Sequence, residues 1–311
     1  MRSIKIIAII EVFVITAILI LIPIFMGIGA IKPPSTQISN QLLAPNLVIN
    51  PILTTNPTPA EAMLSYSRSA QNVTTNPMGI RFLDEIEQHV LLLTNEERSK
   101  RGLITLEHDP MLQTTARAHS ADMLERDFFD HVSPEGRTPH DRIAIIHRQL
   151  IGGTGENIWQ IEGKGYDVND ALKIAEMAME GWMNSPGHRE NILREGYTHL
   201  GVGGAVKEDT VKLTQNFAST QALFQQPLPL KVKQGDYLPL TTLPATQKYA
   251  PVKYGFWVSE KGVLAANPTS IKQTQVVVAP GDYRLRLYFV TSRKRNSVRY
   301  LISSGPQVVV D

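Results

Sequence analysis

The longest apolar run in the chain comes first. Ile6 to Ile31 is almost wholly apolar, Glu11 is its only charge, and it follows a short basic tip, Met1 to Lys5. At about 1.5 Å per residue, a helix of that run exceeds the roughly 30 Å hydrocarbon core of a bilayer. Arg2 and Lys5 precede it, so the positive-inside rule puts residues 1–5 in the cytoplasm and the chain after Lys32 outside. A cleaved signal peptide is the rival reading. Its apolar region runs about 7–15 residues and ends in a small-x-small site, for which Ile28-Gly29-Ala30 is a poor candidate. Both readings export the rest, and the expectation is a single-pass membrane protein with its anchor over 6–31 and an extracytoplasmic ectodomain.

After the apolar run the pattern loses periodicity. Residues 32–80 are rich in Pro, Thr, Asn, Ser and Gln, as in Thr54-Thr55-Asn56-Pro57-Thr58-Pro59. Such a segment buries too little apolar surface to offset its ordering entropy and reads as a spacer, with room for a short helix near Ala60 to Arg68. From Arg81 the helical period begins. Phe82, Ile86, Val90 and Leu93 recur on one face, and Gly102 marks the end of that helix. Asp109 caps a second helix with Pro110 at its first position, and Leu112, Ala116, His119 and Met123 share a face. Thr138-Pro139 opens a third through Ile146. The glycine-rich run 152–155 reads as a loop leading into Glu156, Asp167 to Met183 as a long helix, and Pro186-Gly187-His188 as the turn into a short one. His199 to Val206 and Val211 to Ala218 alternate as strands of a hairpin around Asp209. Helices first and strands last predict an α+β unit with helices on both sides of an antiparallel sheet. A second short linker, 225–229, precedes an all-β region, 230–311. Strands are expected there at Tyr254–Val258, Gln275–Val278, Tyr283–Val290 and Val298–Ile302, and a small β-sandwich is the default.

Composition sharpens this in two places. The chain has no cysteine, which excludes disulfides and lipidation at a cysteine. Its net charge is only +2, so no strong pull toward nucleic acid is expected. The densest basic stretch, Arg293-Lys294-Arg295 with Arg299, reads first as a solvated hairpin tip and second as a contact for anionic wall polymer or lipid headgroups.

Three polar residues sit at Pro- or Gly-marked junctions between the helical segments: His131, Glu156 and His188. Loops on a rigid scaffold concentrate binding groups. Two imidazoles and one carboxylate form a plausible set for a divalent metal, zinc among them. His119 reads as a core histidine, Asn157 as a group that fixes its loop, and Trp182 as core.

Several motifs occur in a specific order: Ala118-His119-Ser120-Ala121-Asp122-Met123, Phe129-Asp130-His131, Gly155-Glu156-Asn157-Ile158, the run Trp182 to Leu193, and Gly201-Val202-Gly203. In this the segment of about 81–220 resembles the CAP superfamily (cysteine-rich secretory, antigen 5 and pathogenesis-related 1 proteins) in its cysteine-free bacterial form. The resemblance implies a CAP-type α-β-α sandwich over 81–222 with a central cleft lined by two His and two Glu that can bind zinc. His131, Glu156 and His188 carry over. The second Glu does not, since its place, three positions after Trp182, is Ser185.

Two functions compete. One is a non-enzymatic binding module for a lipid, glycan or protein ligand, which the resemblance supports. The other is a hydrolase acting on cell-envelope material. It would use a metal-bound water with Glu156 as base, or Ser185 or Ser133 as nucleophile beside an imidazole. The missing Glu and the lack of a Gly-x-Ser-x-Gly turn weigh against the second.

Overall fold

The computed structural model describes residues 7–9, 57–75, 79–163, 165–244, 250–258 and 262–311. Most of the expected anchor and spacer therefore lies outside the described residues. Ile7–Ile9 form a short strand parallel to the strand Ser297–Val310 rather than part of a helix. β-Branched residues suit that pairing, which satisfies backbone groups at a sheet edge. No helix among the described residues is long and apolar enough to cross a membrane.

Among the described residues six helices accompany the first sheet: α1 Pro59–Thr75, α2 Asp84–Ser99, α3 Pro110–Glu125, α4 Pro139–Ile146, α5 Ala171–Asn184 and α6 Pro186–Leu193. Their starts follow local chemistry. Asp109 accepts from the backbone of Met111 and Leu112 at the head of α3. Thr138 and Asp141 form a reciprocal capping box on α4. Asp170 caps α5 through Lys173 N.

The six-stranded sheet is built on the strands Leu150–Glu162, Thr210–Phe224 and His199–Lys207, antiparallel in that order. Along Thr210–Phe224 the faces alternate. Val211, Leu213 and Phe217 pack into a core with Ile86, Val90, Ile174, Met179 and Trp182 of α2 and α5. Lys212, Thr214 and Asn216 face α3: Lys212 donates to Met123 O, Thr214 bonds Ser120 Oγ, and Asn216 accepts from Ala116 N at 3.2 Å while donating to Glu156 Oε2 at 3.2 Å. The expected α-β-α layering follows. Gly201 and Gly203 are required by it, because a Cβ at either would collide with the backbone of α3.

Three expectations need correction. First, part of the 32–80 spacer is a docked helix. Ala60 and Met63 of α1 pack with Ile145 and Val309, and Ala70 with Ala118 and Ile146. Second, the region 230–311 has one sheet rather than the two of a sandwich. The region supplies six of that sheet's seven strands, centred on Ser297–Val310, Gly281–Lys294 and Pro251–Val258, and Ile7–Ile9 is the seventh. Gln275–Val278 is no strand but supplies only a bridge, Tyr237 to Gln275, since the Ala-Pro-Gly turn that follows cuts it short. Third, the junction at 225–229 is bound in. Leu228 is 2% exposed, its N–H donates to Arg148 O, and Gln225 N donates to Thr241 O. Thr242–Pro244 even adds a strand to the first sheet. Ile151, Ala222 and Phe224 of that sheet share a core with Phe256, Leu285, Leu287, Phe289 and Val308 of the second.

Candidate functional site

Glu156 lies mid-strand in Leu150–Glu162, not in a loop. The glycines that made this stretch look irregular serve close approach instead. A Cβ at Gly152 would strike Ser219 O, and one at Gly155 would strike Tyr197. A strand places the Glu156 carboxylate on the α3 side and the neighbouring Asn157 on the α6 side.

The carboxylate is buried and fully engaged. Oε2 accepts from Arg142 Nη2 at 2.6 Å, with both side chains 1% exposed. Oε1 accepts from His131 Nδ1 at 2.9 Å. His119 Nε2 stands 3.9 Å from the same oxygen. Burial alone would raise the carboxyl pKa, but the Arg142 charge and the neighbouring imidazoles outweigh it and hold the group down to about 2. Glu156 is thus a permanent anion at neutral pH.

His131 follows from that anion. Its Nδ1 carries the proton given to Glu156, so the Nε2 lone pair is the free one, and the side chain is 43% exposed. Its backbone carbonyl accepts from Arg142 Nη1 at 2.7 Å, and Arg137 O accepts from the same nitrogen at 2.9 Å. One guanidinium therefore fixes both the carboxylate and the loop that carries His131. Arg142 escaped the sequence reading. The signal was present as a lone cation beside Ile143, Ala144, Ile145 and Ile146 on a short capped helix, where a buried Arg needs an anionic partner.

His188 is the third residue of α6, not a loop residue. Pro186 at the first turn starts that helix. Asn157 Nδ2 donates to His188 O at 3.1 Å, and Asn191 Nδ2 donates to Asn157 Oδ1 at 3.0 Å. This tie holds α6 against the Glu156 strand, as expected for a fixing role of Asn157. Burial, then the charge of His131, lowers the His188 pKa, so the ring stays neutral over a wider acid range than a free imidazole.

Ser185 joins α5 to α6 and makes no side-chain cap on α6. Ser133 is buried, and its Oγ accepts from Arg137 N at 3.2 Å. Neither hydroxyl is bonded to His131 or His188 among the described residues. His119 is buried and donates through Nε2 to Asp130 O at 3.0 Å, while Nδ1 has no partner. Burial pushes its pKa down to about 4. Trp182 is core, 1% exposed, its Nε1 on Ile158 O.

A metal held by His131, Glu156 and His188 together does not fit this geometry. No group of three His, Cys, Asp or Glu side chains among the described residues is arranged to hold an ion, and both Glu156 oxygens are taken. His131 is near enough to His188 for its charge to act on that ring, and Glu156 is the carboxylate bonded to His131.

Comparison with known proteins bears on the same segment. Residues 91–217 match the family described as CAP, the cysteine-rich secretory protein family. The chain is 38% identical over 135 residues to an uncharacterized protein, YkwD, of Bacillus subtilis (strain 168), which is 43% of this chain and 48% of that protein. It is 40% identical over 131 residues to an uncharacterized membrane protein, YlbC, of the same strain, covering 42% of this chain and 34% of that one. This chain therefore spans about half the length of the first relative and a third of the second. A crystal structure of an extracellular SCP-domain protein from Bacillus anthracis str. Ames is 34% identical over 43% of this chain and 40% of that one, with a TM-score of 0.36.

Proposed function

We propose, starting from a chain that carries a CAP domain, that it works as an extracytoplasmic binding module rather than as a hydrolase. The observation that carries this reading is the state of Glu156. A carboxylate paired with Arg142 and held down to about 2 is a weak proton acceptor, far from the pKa near operating pH that a general base needs. What the site presents outward is His131 Nε2 and the neutral ring of His188.

The proximity of the two imidazoles and the carboxylate bonded to His131 support a modest divalent-metal site on His131 and His188. A metal-ligating His commonly donates its other ring N–H to a carboxylate, which fixes the tautomer and raises ligand basicity. The Glu156–His131 bond has that form. Zinc bound there would supply a Lewis-acidic contact for an anionic or carbonyl group of a ligand. The apolar run Ile10 to Ile31, which follows the strand Ile7–Ile9, and a similar protein that is called a membrane protein support an anchor that ties the domain to a membrane. The ligand class, whether lipid, glycan or protein, belongs to this proposal.

Zinc titration of the full chain by calorimetry tests it. His131→Ala and His188→Ala should each abolish binding, and Glu156→Gln should weaken it about 10–100-fold without abolishing it. Unchanged binding in both alanine variants would sink the two-imidazole site. Loss in Glu156→Gln as complete as in the alanine variants would make Glu156 a ligand after all.

A further inference from the structure

The charge of this chain is unevenly distributed. Residues 237–310 hold ten Lys or Arg against two acids, Glu260 and Asp282, while residues 57–236 hold eighteen against twenty-five. The small net charge of +2 hides two opposed regions.

The two differ in pairing as well. In the acidic region many carboxylates meet a cation of the same region: Asp84 and Glu87 with Arg117, Glu97 with Lys100 and Arg101, Asp122 and Glu135 with Arg126, Glu156 with Arg142. In the basic region the cations concentrate at the tip of the hairpin formed by Gly281–Lys294 and Ser297–Val310. There Arg293 stands opposite Val298, Lys294 opposite Ser297, and Ser292 opposite Arg299. Arg293, Lys294, Arg295 and Arg299 are all exposed, and none makes an ion pair among the described residues. Four unpaired cations within seven residues repel one another, and a counter-charge from outside relieves that.

The form of the tip narrows the partner. Successive strand residues point to opposite faces, so Arg293 and Lys294 project on both sides of the ribbon. No large apolar side chain is exposed between residues 291 and 299, and the strand Ile7–Ile9 meets the ribbon at Arg299–Leu301, behind Arg293 to Arg295. A flat bilayer would meet one face and would favour an apolar residue to insert. A flexible chain can reach both faces and needs only charge. We propose that the Arg293–Arg299 hairpin tip is a binding site for a linear phosphate polyanion, distinct from the His131–His188 cleft and independent of it.

The probe is long-chain inorganic polyphosphate, titrated into the full chain in zwitterionic detergent at several salt concentrations. Four phosphate contacts predict a log–log salt slope of about −3, or roughly 50-fold weaker binding from 50 to 200 mM salt. A variant with Arg293→Ser, Lys294→Ser, Arg295→Ser and Arg299→Ser should lose at least about tenfold in affinity and flatten the slope. A variant with Lys100→Ser, Lys173→Ser, Lys207→Ser and Lys233→Ser, which changes net charge equally, should stay within about twofold. Equal loss in both variants would reduce the effect to net charge and overturn the site. So would absence of binding at low salt. Tip-dependent binding to phosphatidylglycerol vesicles that is tighter than binding to polyphosphate would assign the tip to a membrane and overturn the polymer.

Discussion

On its α3 side the six-stranded sheet buries Glu156, Lys212, Thr214 and Asn216, and each finds a partner within the fold. The inner face of the seven-stranded sheet buries Leu285, Leu287, Phe289, Phe256 and Val308, with hardly a polar atom among them, and the sheet carries four exposed cations at its hairpin tip. The long central strands of both sheets are antiparallel, yet the two sheets place their charge differently. A buried charge must be paired, and once paired it dictates geometry, as Arg142 dictates where His131 stands. An exposed cation dictates nothing inside the fold and is free to meet something outside. The first arrangement suits a rigid site and the second an electrostatic contact.

The two sheets meet through Phe224, which is fully buried among residues of both. Phe224→Ala should therefore destabilise by about 4 kcal/mol. Because the core is shared, urea unfolding followed by tryptophan fluorescence should show one transition shifted as a whole. Two separated transitions, only one of them moved, would mean that the sheets are independent bodies and that the comparison concerns two domains.

Arg142→Met tests the rule for buried charge. It leaves Glu156 as an uncompensated buried anion, and removing one partner of such a pair costs about 3–5 kcal/mol. The loss should be smaller at low pH, where Glu156 can protonate. A loss below 1 kcal/mol at pH 7 would show that water reaches the carboxylate.

The pH dependence follows from the same group and from His119. A His whose folded pKa lies near 4 instead of 6.5 contributes stability above pH 6.5 that is lost as pH falls toward 4. A Glu held near 2 instead of 4.5 contributes stability above pH 4.5 that is lost as pH falls toward 2. Both act in one direction, so the unfolding free energy from urea titration should fall continuously from pH 7 to pH 3, and Glu156 alone accounts for on the order of 3 kcal/mol once it is fully titrated below about pH 2. Glu156→Gln should erase the lower window and leave the upper one.

How far these features were legible depends on where each signal lies. The starts of α3 and α4 were readable because Asp109-Pro110 and Thr138-Pro139 act on their own backbone within three residues. The alternation of Val211 to Ala218 was readable because a sheet covered by helices on both faces still separates apolar from polar neighbours here. Glu156 in a strand was not readable, because Gly152 and Gly155 look like loop residues until Ser219 and Tyr197 are known to crowd them. The docking of α1 was hidden for a similar reason. Ala60, Met63 and Ala70 are too few and too small to announce a face, and only the surfaces of α3, α4 and the strand Ser297–Val310 give them one. The sandwich was expected because strand-like runs can be counted in a sequence, whereas which segment covers a sheet cannot. Here segments such as Leu228 to Leu240 cover it, together with the end of the first sheet.

The smallest expected effect is the most pointed test of the comparison. If the hairpin cations take no part in the fold, replacing Arg293, Lys294, Arg295 and Arg299 by Ser should change stability by no more than about 0.5 kcal/mol, the ordinary range for surface substitutions. The sign should be slightly favourable at low salt, because like charges no longer repel across the hairpin, and the gain should fade as salt screens them. A residue that pairs inside the molecule gives the opposite pattern. Arg284 is 8% exposed and bonds Asp141 Oδ1 at 2.6 Å across the junction of the two sheets, so Arg284→Ser should cost well over 1 kcal/mol and respond little to salt. Urea unfolding of the two variants at 50 mM and 500 mM salt separates the cases. A loss above 1 kcal/mol in the tip variant would show that its cations are spoken for inside the fold, and the contrast between the two sheets would fail at the point where it predicts most.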